Sequence, residues 1–419
     1  QRWLRPLLVV GLLLATLVAA DPVPVPVPQV RVPARLGALT ATDTERLYVI
    51  DPGPAPGVTD STVAAYRLPA GAPLWRIRLP MRGQVGSAVV VGGTLVLAGA
   101  WVSALPPEAV GLDVRTGAVS WRGTVRFVQA TADDNLLLWE EWDRSAPGQA
   151  GPERPDPPVT VRSVDARSGR ARWSVSLPEG TRRAYRYVGD RVASVVVGTA
   201  AGRIEVLDVR TGRVVGTLDL PATGPEPDRA GFFDVVDDLL VVHDGARSVT
   251  AYGLDDLRRR WSSSADARWG SPLPVPCGPV LCRFGHSGGI RALDPATGRV
   301  RWSDPRWAVA SPVDGYLVAS GPYPLGSGSL VVLDPADGRV RGELGRWDLA
   351  GPLGGHGPLI GVRADPAARR ALIAELDPVT VEVRVLGTLP DASSSCEART
   401  GLVVCRRLDG AIGVWRLPA

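Results

Sequence analysis

The sequence predicts an all-β fold assembled from repeats, and three observations carry that prediction. The stretch ALDPATGRVRW at residues 292–302 returns along the chain: alignment on Asp294 finds partners at Arg67, Asp113, Asp165, Asp208, Gly253, Asp334, Asp377 and Arg416, at steps of 39 to 52 residues. Each copy reads as strand, turn, strand, turn, strand, with β-branched and polar residues alternating between Gly and Asp-Pro turns. No segment outside the N-terminal apolar run has a helical period. Units of about 40 residues cannot bury a core alone and must stack on one another. The 419 residues therefore read as one globular domain, although their length alone suggests more than one.

The chain opens on different material. Arg2 and Arg5 precede an apolar run from Leu7 to Ala20, and Val18-Ala19-Ala20 stands before Asp21. This is the pattern of a cleavable secretory signal. The competing reading is a membrane anchor, for which the run is short against the roughly 18 residues that span comfortably. Residues 1–20 are thus expected to form one apolar helix, as signal peptide or membrane anchor. Residues 21–36 follow as a Pro-rich spacer, in which the PVPVPVP tract at 22–28 favours an extended polyproline conformation. Gln1 is not a natural start, so a cytoplasmic segment ahead of it stays open.

Within each unit the turn has a local cause. An Asp in the first position accepts hydrogen bonds from the amides that follow, and a Gly four residues on takes a positive φ. Gly stands there at positions 71, 117, 169, 212, 298 and 338. Eight residues after the reference position lies Trp75, Trp121, Trp173, Trp261 or Trp302, replaced by Gly216, Gly342 and Val385 in the other copies. A tryptophan at that interval is expected to pack one unit against the next. Segments 143–158 and 221–231, rich in Pro, Gly and charge, are expected to be surface loops.

The cysteines form two close pairs, Cys277 with Cys282 and Cys396 with Cys405, each separated by strand material and a turn glycine. Cross-strand neighbours suit a disulfide, and two structural disulfides imply an oxidising compartment. The competing readings are free buried thiols and a zinc site, although neither spacing is CxxC. The last copy stops after two strands, so QVRVPARL at 29–36 is the candidate to supply its missing edge and close a ring.

The units VGLDVRTGAVSW (110–121), VRSVDARSGRARW (161–173) and IRALDPATGRVRW (290–302) resemble the pyrroloquinoline-quinone-like (PQQ-like) β-propeller repeat. The resemblance implies a ring of four-stranded antiparallel blades locked by tryptophan docking, over residues 37–419. It favours eight blades, whereas eight full copies and one partial make nine if every hairpin is a blade. It also implies a non-enzymatic member of actinobacterial type, secreted or membrane-tethered. The superfamily includes both quinone-dependent dehydrogenases and cofactor-free scaffolds. The enzymes add a calcium site, a catalytic Asp and a pair of adjacent cysteines, and no two cysteines are adjacent here.

Other chemistry is thin. All 47 basic residues are Arg, against 43 acidic ones. The absence of Lys is expected of GC-rich coding and excludes lysine Schiff-base chemistry. Arginine runs at 258–260 and 369–370 lack interleaved aromatics, so no nucleic-acid partner is expected. WEEW (139–142) with Asp133 and Asp134 could present carboxylates beside aromatics, and Asp237 with Asp238 reads as a hairpin turn. His243, His286 and His356 have no metal-ligand spacing. No catalytic, cofactor or metal residue is assigned. The expected function is a non-catalytic extracytoplasmic scaffold binding a cell-envelope protein or extracellular ligand, tethered to the membrane if the N-terminal segment is uncleaved. The alternatives are a quinone-dependent oxidoreductase and the extracellular sensor domain of a larger signalling protein.

Overall fold

The computed structural model describes residues 27, 29–52, 61–81, 83–100, 108–125, 127–140, 159–178, 181–199, 202–220, 233–244, 248–264, 274–285, 288–321, 328–350, 359–399 and 401–417. Among them the chain forms 36 strands, no helix, and nine four-stranded antiparallel sheets. Strand β1 is Gln29–Val32. Blade 1 is β2–β5 (Leu39–Thr42, Arg46–Asp51, Thr62–Arg67, Ala72–Arg78) and blade 2 is β6–β9 (Val85–Val91, Thr94–Gly99, Glu108–Asp113, Val119–Thr124). Blade 3 is β10–β13 (Phe127–Ala130, Leu136–Glu140, Val159–Val164, Ala171–Leu177) and blade 4 is β14–β17 (Arg182–Val188, Arg191–Gly198, Arg203–Asp208, Val214–Asp219). Blade 5 is β18–β21 (Phe233–Val236, Leu239–Asp244, Ser248–Gly253, Arg259–Ser264) and blade 6 is β22–β25 (Val275–Cys277, Val280–Phe284, Ile290–Leu293, Val300–Asp304). Blade 7 is β26–β29 (Val309–Val313, Tyr316–Ser320, Leu330–Leu333, Val340–Gly345) and blade 8 is β30–β33 (Asp348–Ala350, Leu359–Asp365, Arg370–Asp377, Glu382–Pro390). Blade 9 joins β34–β36 (Ala392–Arg399, Leu402–Arg407, Ile412–Arg416) to β1, which pairs along β36 with Val30 opposite Val414 and Val32 opposite Ile412.

The blades stand in a closed ring because each buries both of its faces. Leu95 and Leu97 of β7 point into the seam with blade 1, while the alternate residues Val96 and Ala98 point into the seam with blade 3. Nine apolar clusters of this kind each join one blade to the next. One of them joins blade 9 to blade 1 through Val32, Leu47, Tyr66, Val404 and Val414. Neighbouring first strands approach one another, as β2 does β6 and β14 does β18, so they surround the axis. The fourth strands are largely exposed and form the circumference.

The structure corrects the expectation of eight blades to nine. Every repeat is a complete blade, including the ninth, whose outer strand comes from the opposite end of the chain. Repeat length fixes the size of a blade, whereas blade number depends on the rotation between blades, which a local pattern does not encode. The N-terminal apolar helix, the tract at 22–26 and the 143–158 insertion lie outside the described residues.

At the turns, the Asp294 Oδ1 accepts from the amides of Ala296 and Thr297 at 2.9 Å, and Gly298 at φ 66° donates its amide to the Asp294 carbonyl at 2.8 Å. The tryptophans span the seams. The indole N–H groups of Trp75, Trp121, Trp173, Trp261 and Trp302 donate to the carbonyls of Val114, Ala166, Val209, Pro295 and Pro335 in the following blade, at 2.8 to 3.0 Å. Each ring covers that blade's turn glycine so closely that a Cβ there would lie 2.4 to 2.7 Å from it. Both disulfides are formed. Cys396 and Cys405 are directly opposed across β34 and β35, with Cα atoms 4.0 Å apart, while Cys277 and Cys282 bridge the β22–β23 hairpin diagonally at 5.6 Å.

Candidate functional site

A structure made of repeats points to function where the repeat is broken. The first strands are mostly small and apolar, as in VGSAVVV of β6 or VASPV of β26. Strand β14, RRAYRYV, departs from this. It holds both tyrosines and three of the four arginines found on the nine first strands.

Alternation along β14 divides these residues. Ala184 is buried in the seam with blade 5, so Arg182 and Arg186 flank that side. Arg183 and Tyr185 face blade 3. There the Arg183 guanidinium lies 4.7 Å above the Trp139 ring, and Tyr185 meets Trp139 edge-on at 6.1 Å. A register shift between Arg186 and Tyr187 then re-aims the end of the strand. Tyr187 packs 6.0 Å from Tyr185, accepts a 2.9 Å hydrogen bond from Gln129 Nε2 of β10, and leaves 49% of its surface exposed beside Val188. On the other side Arg186 forms an ion pair with Asp238 at 2.7 Å, in the turn between β18 and β19. The cluster therefore spans the inner ends of blades 3, 4 and 5. The turn at 131–135 reinforces it, because Ala132 donates its amide to the Val192 carbonyl at 2.9 Å.

The carboxylates here are not equivalent. Asp238 is matched by Arg186, whereas Asp234 on β18 accepts, among the described residues, from the Val235 amide alone, at 2.8 Å. Burial holds Asp234 above the ordinary carboxylate range, and its charge also raises the neighbouring Tyr187 phenol, whose own burial is the larger cause. Asp237 is raised by burial and then by Asp238. The Oε1 of Gln129 and the Nε1 of the fully buried Trp139 have no partner among the described residues. The exposed Tyr187 ring, a positioned guanidinium and a half-buried carboxylate can hold a ligand by stacking and hydrogen bonding.

The residues singled out from sequence fall mostly elsewhere. Asp133 is absorbed by Thr131 and Asn135 within its turn, at 2.6 and 2.7 Å, and Asp134 is exposed there at φ 58°. That turn lies at the opposite end of β11 from Trp139, and Glu141 and Trp142 of WEEW lie outside the described residues. Asp237 and Asp238 do form a hairpin turn. His243 is buried in β19, and His286 and His356 lie outside the described residues. The cysteines and the seam tryptophans lie between strands and blades. RRAYRYV went unremarked in the sequence, although a run with three arginines and two tyrosines among strands of Val, Ala and Ser was a signal in composition. Its partners Gln129, Trp139 and Asp238 are separated from it in the chain and are joined only by the ring.

Residues 158–314, from the third strand of blade 3 into blade 7, match the family model described as outer membrane protein assembly factor BamB. Over those residues the repeat matches that of the PQQ-like β-propeller family. No curated protein matches the chain. Among solved structures, the ring is similar to BamB from Moraxella catarrhalis, with 15% identity, a TM-score of 0.46, and coverage of 94% of this chain and 98% of that one. It is also similar to the computationally designed Ika8 protein, at 14% identity and TM-score 0.42 over 94% and 98% of the two chains. A third similarity is to quinohemoprotein alcohol dehydrogenase from Comamonas testosteroni, at 13% identity and TM-score 0.39 over 67% of this chain and 62% of that one. All four cysteines are bound in hairpin disulfides, and no three His, Cys, Asp or Glu side chains among the described residues are grouped to hold a metal. No helix among the described residues is long and apolar enough to cross a membrane.

Proposed function

We propose that this chain is a non-catalytic, extracytoplasmic scaffold at the cell envelope, and that it binds a protein partner at the axial mouth of blades 3 to 5. The observation that carries this reading is the concentration of tyrosine and arginine on β14, with Tyr187 exposed and Arg182, Arg183, Tyr185 and Arg186 half-buried, within a ring whose other first strands are nearly free of both. Tyrosine and arginine are the residues on which protein interfaces most often depend. A family model described as an outer membrane assembly factor matches residues 158–314, which include β14, and this supports a protein partner in the envelope. The apolar segment at 7–20 and the two disulfides support an oxidising, exported setting.

The test is capture from envelope extract by the full chain, beside Tyr187→Ala and a control, Val215→Ala, on the exposed outer strand of blade 4. A partner retained by the parent and by Val215→Ala should be lost with Tyr187→Ala, by about 30-fold in affinity for an anchor worth roughly 2 kcal/mol. Equal capture by all three would overturn the reading.

A further inference from the structure

Blade 9 differs from the rest in how its outer strand is held. In the other eight blades a tight turn feeds the fourth strand directly from the third. In blade 9, β1 and β36 are brought together across the whole chain: Arg31 meets Asp409 at a separation of 378 residues. No connection through the sheet keeps β1 in place, so its own contacts must do so.

Those contacts define a specific groove. Val30 stands opposite Val414, the position that Trp302 takes opposite Ala292 in blade 6. It fills a notch above Gly71 of blade 1, where a Cβ would come within 2.1 Å of Val30 Cγ1. Val32 is fully buried in the seam. The Nε of Arg31 reaches Asp409 at 3.1 Å, Gln29 Oε1 accepts from Arg407 at 2.6 Å, and Val27 donates its amide to the Thr388 carbonyl at 2.9 Å. The groove thus reads two alternate valines, with a basic residue between them. The connection from β1 to β2 is short: Leu36 is 83% exposed, Gly37 has φ 84°, and the turn is held through two of its backbone amides, Ala38 donating to the Arg35 carbonyl at 3.1 Å and Arg35 to Asp51 Oδ1 at 2.8 Å. Arg406 also clasps the carbonyls of Arg35 and Ala38.

We propose that β1 is an exchangeable clasp, and that the β36 edge with the Gly71 notch is a strand-acceptor site whose partner in trans is β1 of a second copy of this chain. Straightening residues 33–38 gives up the hinge turn, the Arg35 amide bond to Asp51 and the Arg406 contacts. Reciprocal insertion re-forms every ladder bond, the Val30–Gly71 contact and the Arg31–Asp409 pair between two chains, so the exchange conserves the β1 interface and loses only the contacts of the hinge. The second copy is the occupant because its residues 27–32 carry the sequence that this groove already fits. This inference concerns blade 9 and is independent of the site on blades 3 to 5.

The test uses the full chain carrying Val30→Cys and Val414→Cys, a directly opposed pair in the ladder. Labelled (15N) and unlabelled chains are refolded together at high concentration, oxidised, separated by size and digested for mass spectrometry. In the dimer fraction about half of the 30–414 cross-links should join a labelled to an unlabelled peptide, while the monomer fraction should hold none. A dimer whose links are all of one isotope, or the absence of any dimer, overturns the proposal. A second variant guards against misfolding of the first. Deleting Leu36 and Gly37 leaves too little chain for β1 to fold back, and should raise the dimer fraction at least roughly tenfold by favouring insertion in trans. A deletion variant that stays monomeric with unchanged thermal stability overturns it equally.

Discussion

At the residue scale, the tryptophan and the glycine it covers act as one unit. The Trp302 ring lies on Gly338, where a Cβ would come 2.7 Å from Cδ2, and its N–H reaches the Pro335 carbonyl at 2.9 Å. Trp302→Ala should destabilise the fold by about 3 to 5 kcal/mol. Gly338→Ala, at φ 73°, should cost about 1 to 3 kcal/mol through strain and overlap. The double variant should fall well short of the sum, because the alanine methyl no longer meets the ring. Denaturant unfolding of the three variants measures this, and strict additivity would show the two residues to be uncoupled. The aspartates give a second prediction, in pH. Those of the turns are held below the ordinary range, Asp113, Asp165 and Asp208 first by Thr116, Ser168 and Thr211, and Asp294 first by Arg301. Their contribution is present above the unfolded carboxylate pKa of about 3.9 and is lost as pH falls through their lower folded values. Asp234 has the opposite sign. Its raised pKa makes a cost that develops as pH rises from the unfolded value through the folded one. Asp234→Asn should therefore raise Tm at pH 7 and leave it unchanged at pH 3, and a lowered Tm at pH 7 would show that the ionised carboxylate supports the fold.

At the scale of the element, the turn and the tryptophan interval were legible because both recur in register, each with a local cause. The weaker copies were not. Read along the chain, Gly216 and Gly342 are lost tryptophans, and Leu257 and Val381 are lost turn glycines. Read across the seams, the losses are paired. Gly216 of blade 4 faces Leu257 of blade 5, with a Cβ there 3.0 Å from Leu257 Cδ1, and Gly342 of blade 7 faces Val381 of blade 8 at 2.6 Å from Cγ1. The bulk has changed sides, and Leu257 and Val381 accept φ of 52° and 60° to supply it. A seam therefore needs one large and one absent side chain, in either order. Gly216→Trp alone should clash with Leu257, and Leu257→Gly alone should leave a cavity costing about 2 to 4 kcal/mol. Together they should recover most of the parent stability by rebuilding the pair of the other seams. Thermal melts of the two single variants and the double decide it, and a double no better than the worse single would refute the exchange. The site at β14 was harder to see, because the Tyr187–Gln129 and Arg186–Asp238 contacts lie between blades and have no period to announce them.

At the scale of the whole molecule, the ring makes the chain's ends interdependent, which an open array of repeats would not do. Blade 9 takes its outer strand from residues 29–32 and its other three from 392–416, so one seam links the first and last described parts of the fold. Val32 has no exposed surface and sits among Leu47, Val49, Val404 and Ile412 in that seam. Val32→Asp would place an unpaired charge there, at a cost of several kcal/mol unless β1 withdraws. Withdrawal uncovers the edge of β36 and the outer face of blade 1 while leaving the other eight seams intact. Hydrogen exchange should then show lost protection at Ile412 to Trp415 and at Leu47 to Ile50. Protection should be kept at Val195 to Val197 of blade 4, on the far side of the ring, because those amides depend on seams that the substitution does not touch. Uniform loss across all nine blades would mean that the ring melts as one cooperative unit and that closure through β1 is a condition of folding. Retained protection at both blade 1 and blade 9 would mean that the seam holds without Val32, and that closure rests on the ladder between β1 and β36 alone.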